Sequence, residues 1–282
     1  MKSYDLDVKR GERFEFGKNW SRFLSVLDDE RIAEACRSLD RMLGPGALAG
    51  KTFLDVGSGS GLFSLAAMKL GAARIHSFDY DPNSVGCTAE LRRRYFPDAA
   101  SWTVEQGSVL DADYLSRLGA FDIVYSWGVL HHTGQMWRAL DHVTRAVAPR
   151  GRLFIALYRD QGWLSKAWWQ VKRLYNSGRL GRALVSGIFC SYFTVSGFLF
   201  DLVRFKNPMR RYAEYKRSRG MSRIHDWIDW VGGFPFEVAT SEAIGRFYAD
   251  RGFRLERDKL LRSGHGCDEY VFVKDLTPGD GR

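Results

Sequence analysis

The chain has 282 residues, enough for one large domain or two small ones, and its 45% hydrophobic and 27% charged content excludes intrinsic disorder, a collagen-like chain and a coiled coil. Lysine and arginine number 42 against 33 acids, a net +9, which points first to nucleic acid, an anionic membrane surface or an acidic substrate. Cys36, Cys87, Cys190 and Cys267 stand far apart with no C-x-x-C pair, so neither a zinc site nor a disulfide framework is indicated, and a reduced, cytoplasmic protein is expected. The charged N-terminus lacks the apolar core of a secretory signal peptide.

Residues 1–50 read as a helical cap, with apolar side chains from Phe23 to Leu43 at three- and four-residue steps until Gly44, Pro45 and Gly46 end the run. From residue 51 the pattern changes to strand, glycine turn and helix. Strands are expected at 52–56, 74–79, 102–106, 121–126 and 152–157, with helices at 62–70, 82–95 and 137–147. After Tyr158 the alternation stops, then resumes with a helix at 241–251 and strands at 253–261 and 268–274. This predicts an α/β fold with a doubly wound, mostly parallel seven-stranded sheet, its last strand antiparallel because only a short loop joins the final pair. The core is assigned to 51–158 and 236–275, and residues 159–235 to a helical insertion after the fifth strand.

Chemistry concentrates where the first strand meets its helix. Asp55, Gly57, Ser58, Gly59 and Gly61 form a D-x-G-x-G-x-G loop, whose glycines permit a tight turn and close backbone approach to a ligand at a helix N-terminus. Asp79 ends the second strand, 24 residues after Asp55, where a carboxylate can accept both hydroxyls of a ribose. A dinucleotide site rarely carries an acid before its first glycine, because a carboxylate repels a diphosphate. Asp55 therefore favours a cationic adenosine ligand.

The loop, with Asp79 and the strands around it, closely resembles motif I and the core of class I S-adenosylmethionine-dependent methyltransferases, over residues 52–157 and 241–274. The segment after the fourth strand, from Trp127 through Leu130, His131 and His132, resembles the "LHH" stretch of the small-molecule branch that includes ubiquinone and menaquinone methyltransferases. The resemblance implies S-adenosylmethionine as cofactor, held by the loop, by Asp79 and Tyr80, by Ser108 and Val109 at the adenine, and by Ser126 and Trp127 beside the fourth strand. Ser108 stands where many relatives have an aspartate, which leaves adenine recognition to backbone N–H groups.

Methyl transfer from an activated sulfonium needs alignment and, for a hydroxyl acceptor, one base. The candidates are His132, His225 and Tyr158, with His131 beside the first. His225 and Asp229 share a face if 222–230 is helical, an arrangement in which a carboxylate orients an imidazole. The surface ion pair and the structural histidine remain as alternatives. No [DN]-P-P-[FYW] segment, nucleophilic cysteine or carboxylate cluster for a hard cation occurs, so nucleobase chemistry is not indicated and no metal is expected.

Between residues 159 and 219 stand thirteen basic residues against three acids, +10 in all, which leaves the rest of the chain at −1. The segment is also rich in aromatics, and residues 183–200 carry no charge. Three readings fit: a roof over the acceptor pocket, an interfacial surface peripheral to a membrane, or an oligomer contact. The roof is preferred, over an acceptor with apolar or aromatic bulk, such as a lipid-linked, quinol-like or glycan intermediate, for which the cations allow an acidic group. The expected activity is methylation of a small-molecule acceptor at a hydroxyl oxygen, with an RNA methyltransferase and a catalytically silent cofactor-binding protein as alternatives.

Overall fold

The computed structural model describes residues 2–203, 231–261 and 266–276. Its strands are β1 (Thr52–Val56), β2 (Arg74–Asp79), β3 (Trp102–Gln106), β4 (Phe121–Trp127), β5 (Val147–Tyr158), β6 (Phe253–Lys259) and β7 (Cys267–Lys274). They form one sheet in the order β3-β2-β1-β4-β5-β7-β6. The first five run parallel, while β7 is antiparallel to both β5 and β6. This is the fold expected from the strand and helix alternation. β1 is buried at four of its five residues, as a central parallel strand covered on both faces must be.

The described helices are α1 (Lys2–Lys9), α2 (Gly17–Leu24), α3 (Asp29–Leu43), α4 (Leu62–Lys69), α5 (Pro82–Tyr95), α6 (Ala112–Leu118), α7 (Met136–Arg145), α8 (Trp163–Asn176), α9 (Arg179–Val203) and α10 (Ser241–Ala249). One face of the sheet packs Phe53, Ile75, Trp102, Ile123 and Phe154 under α3, α4 and α5. The other packs Leu54, Val124, Leu153, Ile155 and Phe272 under α6, α7 and α10. Each such side chain, taken fully out of water, contributes about 1.5–3 kcal/mol. Local signals set the helix ends. Asp28 accepts from the Arg31 N–H at the start of α3, and Gly44 closes it at φ +94°.

Two elements differ from the sequence reading. α6 was not expected: at seven residues it is too short to show a period, and its start is fixed by the Asp111 side chain accepting from the Tyr114 N–H at 2.9 Å. β5 begins at Val147 rather than at 152, because Arg150 adopts φ +59° and the pairing with β4 shifts register between Phe121 and Ile123. That bulge lets the strand run through a Pro-Arg-Gly stretch that reads as a turn.

α8 and α9 lie between β5 and α10. Tyr175, Val185 and Val231 make a small third core with Phe14, Val171 and Phe189, so the insertion packs on the N-terminal segment. The returning chain is tied in beside β5: Phe14 N–H donates to the Phe234 carbonyl at 2.9 Å and Glu237 N–H to the His131 carbonyl at 3.0 Å. Among the described residues no helix is long and apolar enough to cross a membrane.

Candidate cofactor and acceptor site

The C-terminal ends of β1 to β5 open onto one cavity of about 1190 Å³, the place where open α/β sheets bind ligands. The loop after β1 forms its floor. Gly57 takes φ +78°, and a Cβ there would stand 2.4 Å from the Val129 side chain. The N–H groups of Gly57 and Ser58 both donate to the Phe78 carbonyl, at 2.9 and 3.0 Å, and the Ser58 hydroxyl pairs with that of Thr88. Gly61, at φ +81°, leads into α4, with a Cβ excluded by Thr88.

Two buried carboxyls face this floor, Asp55 with no cation acting on it and Asp79 with only the weak pull of Arg13. Asp55 is buried, its Oδ2 accepting from the Ser64 hydroxyl at 2.5 Å, and that hydroxyl is linked through Ser77 to the Trp102 indole. Burial pushes Asp55 up to about 7, against the opposing pull of Ser64. Asp79 accepts from the N–H groups of Gly59 and Asp81, each at 2.9 Å, yet burial pushes it up to about 6. A cationic, hydroxyl-bearing ligand relieves both costs. The residues present therefore fit S-adenosylmethionine, whose positive charge suits Asp55 and whose ribose suits Asp79.

Ser108 and Val109 line the cavity near Gly107. The Ser108 hydroxyl accepts from the Leu110 N–H at 3.2 Å, and the Val109 carbonyl bonds His142 Nδ1 at 2.9 Å, which fixes the turn. Trp127 also lines the cavity. Ser126 does not: it is fully buried, and its hydroxyl donates to the Val56 carbonyl at 2.9 Å, a tie between β4 and β1.

The N-terminal segment straps across the opening. Gly17 N–H donates to Asp81 Oδ2 at 2.8 Å, and a Cβ on Gly17 would stand 2.5 Å from that oxygen. Trp20 lies against Gly59. The Arg13 guanidinium donates to the His132 carbonyl at 3.1 Å and stacks 4.9 Å over the Tyr80 ring, while the Tyr80 hydroxyl donates to Asp7. Tyr80 thus anchors the strap from the rim of the cavity.

Beyond the strap lie two of the three candidate bases. His132 is buried and bonded through Nδ1 to the Pro235 carbonyl at 2.6 Å. A carbonyl only accepts, so the proton sits on Nδ1 and Nε2 keeps its lone pair. Burial first, then the charges of Lys172 and Arg13, hold the ring down to about 3, which keeps it neutral. Tyr158 closes the same wall, its ring 5.5 Å from His132 and 5.4 Å from Phe236. His131 is fully buried, 4.1 Å from the Tyr158 ring, with no hydrogen bond on either nitrogen among the described residues, and its place is in packing. His225 and Asp229 fall outside the described residues.

Several neighbours escaped the sequence reading. Lys172 of α8 is fully buried, 5.0 Å from the Phe236 ring, and burial lowers its ammonium to about 7. Its spacing from Trp168 and Tyr175 would have placed it on an inward helix face. Arg13 and Glu237, whose carboxylate accepts from the Met136 N–H at the start of α7, carry no local signal. The insertion's other cations on α8 and α9, Lys166, Arg173, Arg179 and Arg182, are exposed. None lines the cavity, where seven carboxylates face two cations, Arg13 and Lys259, among the described residues. The insertion's seven basic residues from Arg204 to Arg219 fall outside the described residues.

The fold, the glycine loop and its two buried acids define a class I S-adenosylmethionine-dependent methyltransferase. A family model described as a methyltransferase domain matches residues 27–198, and the chain belongs to that family. Curated relatives include ribosomal protein L11 methyltransferases. That of Bacillus velezensis is 25% identical over 199 residues, 58% of this chain and 62% of the relative. That of Anoxybacillus flavithermus is 33% identical over 123 residues, 39% of each chain. The match thus spans less than two thirds of these relatives. Among solved structures, magnesium protoporphyrin IX methyltransferase of Synechocystis PCC 6803 with bound SAH superposes with a TM-score of 0.54 at 14% identity, covering 92% of this chain and 95% of that one. PKMT2 of Rickettsia typhi in complex with AdoHcy gives 0.54 at 13%, covering 86% and 53%. These two show the fold alone.

Proposed function

We propose that the chain transfers a methyl group to a hydroxyl of a small-molecule acceptor with apolar or aromatic bulk. The observation that carries this is the cavity, whose volume of about 1190 Å³ exceeds the roughly 300–1,000 Å³ of a site for one ligand. It runs from Ser108 past the glycine loop to an aromatic chamber under the strap and return segment, room for a cofactor and a second compound. Bound S-adenosylmethionine supplies an electrophilic methyl on a sulfonium. The protein's part is to hold and align. Asp79 and the loop N–H groups fix the cofactor end, and Phe14, Phe16 and Phe23 exclude water from above. His132 presents its Nε2 lone pair to an acceptor hydroxyl. A ring held near 3 is a weak base, so its role is to orient that hydroxyl rather than to ionise it beforehand.

A second reading, a protein acceptor, is favoured by the names of the curated relatives. The acidic lining disfavours RNA. Incubating the full chain with a cell extract and methyl-labelled cofactor, then separating metabolites, protein and RNA, decides among them. Label in the metabolite pool is expected. Label only in protein moves the assignment to the second reading, and bound cofactor with no transfer to any pool identifies a silent binding protein.

A further inference from the structure

Next to Asp55, with which Tyr125 pairs across β1 and β4, the cavity wall carries polar groups that the cofactor assignment does not use. Tyr125 of β4 lines it, and its ring is wedged between Phe53, Phe63 and Phe154 at centroid distances of 5.1–5.7 Å. The side chain is 2% exposed, and its hydroxyl has no hydrogen-bond partner among the described residues. Buried hydroxyls are almost always satisfied, so this one marks a place where a ligand completes the bonding. Strand register brings a carboxylate to the same place. Tyr125 pairs with Phe154, Phe154 with Val271, and Glu269 lies two residues from Val271, on the same face of β7. Glu269 is buried and lines the cavity. Its Oε1 accepts from Lys259 at 2.7 Å, and no described residue bonds Oε2. The phenol of Tyr125 is raised well above its ordinary value by burial and then by the charges of Asp55 and Glu269, so it remains a donor at any working pH.

We propose that Tyr125 and Glu269 form an acceptor subsite that takes a hydroxyl group, the phenol donating to its oxygen and the carboxylate accepting its proton. A hydroxyl is the simple group that both accepts and donates at one atom, which is what this pair requires. The inference rests on the small-molecule reading above and narrows it to a hydroxylated compound.

The test uses the full chain with methyl-labelled cofactor and the metabolite fraction of a cell extract, followed by kinetics on the compound that gains label. Tyr125→Phe is expected to raise KM about 5-fold and Glu269→Gln about 30-fold, with cofactor affinity by calorimetry unchanged. Removing an unsatisfied hydroxyl costs no bond, so Tyr125→Phe is expected to melt within about 2 °C of wild type or higher. Unchanged KM in both variants overturns the subsite while leaving the small-molecule reading standing. A loss of cofactor affinity in either assigns the pair to the cofactor and overturns it too. Label confined to protein or RNA overturns both.

A separate observation carries a second proposal. α9 turns Leu180, Leu184, Ile188, Tyr192, Val195 and Phe198 to solvent at three- and four-residue steps, Leu180 being 88% exposed. Exposed Arg179 and Arg182 stand in the first turn of α9, Arg182 over the Tyr175 ring, exposed Lys166 and Arg173 stand on α8, and residues 161–200 contain no acid. We infer that this face lies on an anionic lipid bilayer, apolar residues in the acyl boundary and cations among the headgroups. The full chain is expected to sediment with phosphatidylcholine vesicles containing phosphatidylglycerol and not with phosphatidylcholine alone. Leu184→Asp with Ile188→Asp, both at exposed positions, is expected to weaken that binding at least about 10-fold. A wild-type chain that stays in the supernatant with both vesicles, or a dimer by light scattering that the double variant splits, overturns it.

Discussion

The two ends of the cavity are built on opposite plans. At the cofactor end the polar groups are held by near neighbours: Gly57 and Ser58 by the Phe78 carbonyl, Asp79 by Gly59 and Asp81, and Asp55 by Ser64. At the acceptor end the walls are side chains from segments far apart in sequence, from Phe14 to Glu269, and the Tyr125 hydroxyl is unsatisfied. The first end is preorganised for one ligand, whereas the second keeps bonding capacity in reserve. Such a division suits a catalyst whose cofactor is fixed and whose acceptor is selected.

The contrast is open to breaking at several points. The largest effect is expected for Asp79→Ala, which removes the acceptor for ribose hydroxyls and should weaken cofactor binding by calorimetry at least about 100-fold. Affinity within threefold of wild type would sink the cofactor assignment. Gly57→Ala comes next, since it adds a Cβ at φ +78° against Val129, and a loss of about 2–4 kcal/mol in denaturant unfolding is expected. His132→Gln should lower kcat about 10-fold on the labelled compound with cofactor affinity unchanged, since only the acceptor is then misoriented. A fall in cofactor affinity instead would move His132 to the cofactor end.

Titration probes the same division. Asp55 and Asp79 both have folded pKa values, about 7 and about 6, above the ordinary 3.8. Between about pH 4 and 7 the folded chain holds protons that the unfolded chain has lost, so their contribution to stability falls as pH rises through that window. A cationic ligand offsets this, and the rise in melting temperature on adding cofactor should be larger at about pH 7.5 than at about pH 5. An equal rise at both would show that the two carboxyls do not meet the ligand's charge. The smallest effect is expected at Ser126. Ser126→Ala should cost about 1 kcal/mol of stability through the lost bond to Val56 and leave cofactor affinity unchanged.

Legibility from sequence follows the same line. The loop, Asp79 and the strand order are set by contacts within a few residues or between neighbouring strands, and these leave spacing that can be read. Ser126 shows the limit of such reading, because adjacency to a motif does not say which face of a strand a side chain takes. The acceptor end is nearly silent. Arg13 meets the His132 carbonyl, and Pro235 meets the His132 ring, across more than a hundred residues, which no periodicity encodes. The insertion's surplus is placed only in part: α8 and α9 turn all but Lys172 of their five basic side chains outward, and the seven basic residues from Arg204 to Arg219 fall outside the described residues.

The bond from Gly17 to Asp81 has a kinetic meaning. The residue that starts α5 also latches the strap, and Trp20 is seated on Gly59, so α2 stands across the mouth of the cofactor loop. If release of the spent cofactor waits on that latch, rapid-quench kinetics will show a burst of one methyl product per chain ahead of a slower steady rate, and a linear time course from the first turnover will rule it out.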